Sequence, residues 1–325
     1  MSPNVSVIMP IYNTKKYLPE TLECLRSQTL KELEIIFVDD GSTDGSDDIV
    51  RRFAETDSRY KMIAQPNRGA ASARNAGLAV ASGEYLSVLD SDDLFEDDML
   101  EKSYFYAISR RADLVVFRAD QFVDEKRRFK QTPWTAKARQ LPASDTFSFR
   151  GVFPNRFRAM QGWTWDKLFR REFVSRNGIT FQEQRLYNDM LFTFSAYLRA
   201  DRIAFLDDVL VHQRKRGGGS LSDEGSEEWG SLFSALSSLK GQMVACDQYA
   251  HFERDFVNYV IWMVLYHLSL CSPSQKKLFL RQVLEVWDSH FGILGRDESF
   301  YDPVSNMGAL RCSLYEQFSG SESVR

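Results

Sequence analysis

The sequence predicts an α/β fold, a mostly parallel sheet flanked by helices, followed by a helical C-terminal region. Over residues 5–119, short β-branched apolar runs alternate with segments whose apolar residues recur at helical spacing. Each apolar run ends in Pro, Gly, Asn or Asp, residues that punctuate turns. The chain has 325 residues, 43% apolar and 26% charged, a globular composition long enough to bury a sizeable core. Strand–helix–strand units repeated in this way build a mostly parallel sheet with helices on its faces.

In chain order, VSVIMPIY (5–12) reads as the first strand. KKYLPETLECLRSQ (15–28) places Leu18, Leu22 and Leu25 on one helical face. LEIIFVDD (33–40) is the second strand, and SDDIVRRFAE (46–55) a helix with Ile49, Val50 and Phe53 inward and Ser46 as its expected cap. Asp44, Asp47 and Asp48 suit the positive end of that helix dipole. YKMIAQ (60–65) is a third strand. GAASARNAGLAVA (69–81) is a helix of small residues, with Gly83 as its expected C-cap. EYLSVLD (84–90) is a strand, DMLEKSYFYAISRR (98–111) a helix, and ADLVVFRA (112–119) a strand. Beyond residue 120 the periodicity loosens. GWTWDKLFRREFV (162–174) reads as a packed helix start.

Ligands of such sheets bind at the carboxyl ends of the strands. Those ends are PIYN (10–13), DDGSTD (39–44), QPNRG (65–69) and DSDD (90–93). The second resembles a calcium loop through Asp40, Ser42, Asp44 and Gly45, but Arg51 stands where a bidentate Glu is required. A strand precedes it where a calcium loop needs a helix. The fourth end crowds Asp90, Asp92 and Asp93, which repel one another unless a cation sits among them. Hard oxygen ligands suit Mg2+ or Mn2+ bound together with a diphosphate.

Other classes fit less well. No G-x-G-x-x-G follows the first strand and no G-x-x-x-x-G-K-[ST] occurs, which disfavours a dinucleotide dehydrogenase or a P-loop kinase. A net charge of −4 with both signs abundant argues against a nucleic-acid partner. An aspartyl phosphohydrolase would also put D-x-D after a strand, but Leu94 stands where that motif has Thr or Val.

The blocks SVIMPIYN, LEIIFVDDGSTDGS, NRGAASARNAGLAVASGEY, LSVLDSDDLF and WDKLFRREF, in this order, resemble the family 2 glycosyltransferases, which have the GT-A nucleotide-sugar fold. The resemblance covers residues 4–215 and implies an inverting, metal-dependent transfer from a nucleotide-sugar, with a UDP-sugar favoured, to a saccharide or lipid-linked acceptor in surface polysaccharide synthesis. It implies that Pro10, Tyr12 and Asn13 line the nucleotide pocket and that Asp39 accepts the imide N–H of uracil. Arg68 is implied near the diphosphate, Asp90 beside the ribose or sugar, Ser91 among the donor-binding residues, and Asp92 on the metal. The catalytic base is implied in YNDMLF (187–192) at Asp189, where Asn188 replaces the family's usual Glu. That departure keeps a non-catalytic nucleotide-sugar-binding protein as the alternative, and Asp189 could instead be a helix-start acid. His212, Arg214 and Arg216 fall in the segment that closes over the diphosphate, with Gly217–Gly219 as lid or linker.

The expected organisation is a catalytic domain over 1–215, a loop or boundary over 216–228 and a mostly helical region over 229–325. Cys24, Cys246, Cys271 and Cys312 lack paired spacing, and no leader pattern opens the chain, so a cytoplasmic setting is expected. Residues 256–270 are apolar but short of the ~20 needed to cross a bilayer, and read as a buried or interfacial helix. The basic stretch 124–140, with Phe129 and Trp134 interleaved, reads as a solvated loop or as a patch for an anionic acceptor or the inner face of a membrane.

Overall fold

Seven consecutive residues of LEIIFVD are buried, the pattern of a strand covered on both faces and flanked by neighbours in the sheet. The computed structural model describes residues 2–215, 229–303 and 305–318. The chain divides into two units, Met1–Gly217 and Gly218–Arg325.

In the first unit, β1 (Val5–Ile11), β2 (Leu33–Asp39), β3 (Tyr60–Ala64) and β4 (Tyr85–Val88) pair in parallel in the order β3-β2-β1-β4. Helices α1 (Leu18–Arg26), α2 (Ser46–Ala54), α3 (Ala70–Val80) and α4 (Met99–Arg110) alternate with them. The sheet then continues through elements that the sequence pattern does not announce. These are β5 (Leu94–Phe95), β7 (Arg128–Gln131), β8 (Lys167–Arg170) and β9 (Ile203–Lys215); with β6 (Leu114–Val123), the strand expected over 112–119, they complete a mixed sheet ordered β3-β2-β1-β4-β8-β6-β9-β5, with β7 on β6. Short helices α5 (Arg156–Ala159) and α6 (Arg171–Arg176) and the longer α7 (Met190–Arg199) lie between them. Because β8 runs antiparallel to β4, the start of β8 lies beside the carboxyl end of β4.

Three local expectations are corrected. Residues 162–174 are not a helix start: Lys167–Arg170 is strand β8, and only Arg171–Arg176 is helical. Ser46 is the first helical residue of α2 rather than its cap. The cap position is Gly45 at φ 89°, and Asp44 accepts the Ser46 N–H at 2.9 Å. Gly83 caps nothing, since α3 ends at Val80. A Cβ there would lie 2.5 Å from the Ser6 nitrogen, so the absence of a side chain permits close packing of two backbones. At the failed calcium position, Arg51 pairs with Asp47 and Asp48 on its own helix.

The second unit comprises α8 (Trp229–Ala245), α9 (Tyr249–Leu270), α10 (Pro273–Gln282), a π turn over Val283–Trp287, α11 (Asp288–Phe291) and α12 (Met307–Phe318). Residues 256–270 fall in α9, whose Phe256, Val257, Val260, Ile261 and Val264 are fully buried. Among the described residues no helix is long and apolar enough to cross a membrane.

Candidate active site

The parallel strands β1 to β4 deliver their following loops to one edge, and short side chains stitch those loops together. Asn13, at φ 51°, accepts the Thr43 N–H at 2.8 Å through its side-chain oxygen, and its own N–H donates to Ser42 Oγ at 3.2 Å. Asp39 and Asp40 are adjacent yet do different work. Asp40 is buried and fully committed, accepting from Gln65 Nε2 at 2.7 Å, the Arg68 N–H at 2.9 Å and the Gly69 N–H at 2.8 Å. It therefore moulds the entrance to α3. Among the described residues, the Asp39 carboxylate receives only the Ser42 N–H, at 3.4 Å to each oxygen, and retains acceptor capacity. Pro10 lies in β1 opposite Val38, Tyr12 is exposed beyond the strand, and Arg68 is exposed on the loop leading into α3. Gly41 is required by its φ of 75° and by the Asn67 backbone nitrogen, 2.8 Å from where a Cβ would stand.

After β4 the acidic loop divides in the same way. Asp93 is buried, accepts the Arg214 N–H at 2.8 Å, and its carboxyl is pushed well up by burial and then by the charges of Asp92 and Asp90. Ser91 donates to Thr14 Oγ1 at 3.2 Å. Asp92 and Asp90 are partly exposed. Arg214 holds this loop from behind: Nε donates to the Asp92 carbonyl at 2.7 Å, Nη2 to Glu20 at 2.6 Å and Nη1 to Asp124. Its side chain is 1% exposed, between the rings of Tyr17 and Phe122. His212, also buried, has both ring nitrogens on carboxylates, Nδ1 on Asp120 at 2.6 Å and Nε2 on Glu96 at 3.0 Å. Arg216 and Gly217–Gly219 lie outside the described residues.

The third component comes from α3. Asn75 clamps the backbone of Phe181, donating to its carbonyl at 3.0 Å and accepting its N–H at 2.9 Å. Arg74, one residue earlier and 8% exposed, donates to Asp90 at 2.7 Å and to the Asn188 side-chain oxygen at 2.5 Å. The acidic loop after β4 and the turn before α7 thus meet on one guanidinium. Asn188 accepts from its Nη1 as a neutral group. Next along the chain, Asp189 stands at the N-cap of α7 but makes no side-chain capping bond. Burial lifts its pKa to about 6. The Arg74 charge opposes the rise and the Asp90 charge adds to it.

Beneath lies a buried ion pair. Lys167 Nζ meets Asp166 and donates to the Trp163 carbonyl at 2.7 Å, while Trp163 Nε1 donates to Asp166 at 2.8 Å. Sequence reasoning missed Arg74, Asn75 and this pair. The available signal was an Arg–Asn dipeptide inside a helix otherwise built of small buried residues.

Among the described residues, no three His, Cys, Asp or Glu side chains are arranged to hold a metal unaided. The donor set that remains, a carboxylate or two at the tip of the acidic loop, suits a hard cation that takes its other ligands from a diphosphate.

The sequence profile of "Glycosyl transferase family 2" matches residues 6–199, which hold all these loops. The chain belongs to glycosyltransferase family 2. Its relatives in the family include Glycosyltransferase GlyG of Streptococcus pneumoniae serotype 4, 33% identical over 242 residues, covering 70% of this chain and 76% of that protein. Among solved structures, S. aureus TarS 1–349 in complex with UDP-GlcNAc matches at TM-score 0.70 with 20% identity, over 98% of this chain and 92% of that one. A mannosyltransferase from Pyrobaculum calidifontis in complex with GDP-Man and Mn2+ matches at TM-score 0.56 with 17% identity, over 99% of this chain and 89% of that one. At these identities the structures establish the GT-A-like fold. Family membership removes the aspartyl phosphohydrolase alternative.

Proposed function

We propose that this family 2 glycosyltransferase moves a sugar from a UDP-sugar to a hydroxyl of a saccharide or lipid-linked acceptor, with inversion at the anomeric carbon, in surface polysaccharide synthesis. The observation that carries the proposal is Arg74, which joins Asp90 of the donor loop to Asn188 beside Asp189. One buried cation thereby sets the distance between the leaving group and the base.

In this scheme Asp39 accepts the imide N–H of uracil with the capacity that Ser42 leaves free. Pro10, Tyr12 and Asn13 line the nucleotide pocket, and Tyr12 offers an exposed ring face to the base. Arg68 lies toward the diphosphate, with Asp90 and Ser91 toward the ribose and sugar. Asp92 is the metal ligand, and Mg2+ or Mn2+ would supply charge neutralisation on the diphosphate. The TarS complex with UDP-GlcNAc favours uridine, and the mannosyltransferase complex favours Mn2+.

The acceptor hydroxyl attacks the anomeric carbon opposite the departing UDP, and Asp189 takes its proton. A carboxyl with a pKa of about 6 is ionised above neutral pH, yet more basic than an exposed Asp. Arg214 and His212 sit behind this site and act by holding the acidic loop and β5 in place. The exposed basic run Lys126–Lys130 favours a peripheral position at the inner face of a membrane.

The test is nucleoside diphosphate release (UDP, GDP or TDP) from a panel of UDP-, GDP- and TDP-sugars with Mn2+. Turnover of a UDP-sugar supports the assignment. Calorimetry showing no UDP binding, with or without metal, rejects it together with the non-catalytic binding alternative.

A further inference from the structure

Three tryptophans gather at the same sheet edge as Asp90 and Asp189, and the scheme above leaves them without a task. Strand β8 lies antiparallel to β4 with Ser87 opposite Leu168, so the residues just before Lys167 run alongside the segment that leads to Asp90. Trp163 and Trp165 occupy that place, stacked at 4.8 Å with 14° between their planes. Trp134 meets Trp163 edge-on at 5.7 Å and is 42% exposed.

The cluster is rigidly mounted. The Trp163 indole N–H is tied to Asp166, and its carbonyl accepts from Lys167 Nζ at 2.7 Å and from Thr193 Oγ1 at 3.2 Å. Thr193 is in the first turn of α7, where its N–H bonds to the Asp189 carbonyl at 3.0 Å. Trp134 sits in a turn gripped by Thr132 and Thr135, both of which donate to the Ala119 carbonyl of β6.

We propose that Trp134 and Trp163 form the acceptor subsite, a platform for one pyranose ring of a saccharide. This rests on the glycosyltransfer scheme above, because an acceptor hydroxyl that reaches Asp189 must carry its ring past the residues packed beside α7. A pyranose presents an apolar C–H face with polar edges. A fixed indole offers apolar area on its face without leaving a buried polar group unpaired. Two indoles at 73° form a corner, which selects one ring face and its edge rather than a flat surface.

The test uses protein carrying 15N-labelled tryptophan, titrated without nucleotide against diacetylchitobiose, lactose and mannobiose. Of the six indole signals, those that disappear in Trp134→Phe and Trp163→Phe identify the cluster. With at least one disaccharide these signals shift saturably, and those of Trp229, Trp262 and Trp287 do not. Trp134→Ala weakens that binding about tenfold, while UDP affinity with Mn2+ is unchanged. Cluster signals that stay still for all three sugars, or wild-type saccharide affinity in Trp134→Ala, overturn the subsite. Failure of wild-type protein to bind UDP would instead overturn the donor scheme, and the saccharide titration is read independently of it.

Discussion

Asp189→Asn should separate stability from catalysis in a way that depends on pH. Burial raises the Asp189 carboxyl from its usual 3.8 to about 6 in the folded protein. Below pH 3.8 both folded and unfolded states hold the proton, so the residue contributes no pH dependence. Between 3.8 and about 6 the unfolded chain has lost the proton while the fold retains it, and stability falls by about 1.4 kcal/mol per pH unit. Above that window both states are ionised and the accumulated cost is constant, about 3 kcal/mol. Asn cannot ionise and avoids this cost. In urea denaturation the difference between variant and wild type should move in the variant's favour by about 2.5 kcal/mol from pH 4 to pH 8. The same variant should have lost transfer. Parallel stability curves for the two proteins across that range would refute the raised pKa, and with it the argument that the fold prepares this carboxyl as a base.

Arg74→Met keeps the side-chain bulk but strips the partner from Asp90 and Asn188, and should cost about 3 kcal/mol in urea denaturation. A loss below about 1 kcal/mol would show that the guanidinium is not the joint between the two loops. Asp92→Ala should abolish the increase in UDP affinity produced by Mn2+ while leaving metal-free UDP binding unchanged in calorimetry. A full Mn2+ effect in the variant would remove Asp92 from the metal. Gly83→Ala forces a Cβ to within 2.5 Å of the Ser6 nitrogen and should destabilise by about 2–3 kcal/mol. A thermal midpoint equal to wild type would contradict the close-packing explanation.

The parallel half of the sheet was legible because its strands are continuous apolar runs and its helices carry a clear inward face. The rest was not, for identifiable reasons. Strand β8 is four residues, KLFR, ending in the charges of the helix that follows, and its buried Lys167 is tolerable only because Asp166 lies beside it. Strand β9 alternates imperfectly across Asp207 and Asp208, near where its pairing with β6 slips register. In the site, the strand-end motifs located the loops but could not assign tasks to neighbouring aspartates. Asp40 and Asp93 turn out to be internal braces, whereas Asp39, Asp90 and Asp92 keep exposure or acceptor capacity. Arg74 was invisible because its two partners lie 16 and 114 residues away. Arg214 drew notice as a basic residue near a diphosphate, and only its contacts with Glu20, Asp124 and the Asp92 carbonyl reveal a loop brace.

The most direct test of the central claim compares wild type with Asp189→Asn in a single preparation each, measuring UDP affinity with Mn2+ and UDP release from the UDP-sugar that the wild type turns over. The account predicts equal UDP affinity and a release rate at least about 100-fold lower in the variant. Wild-type release by Asp189→Asn would contradict it.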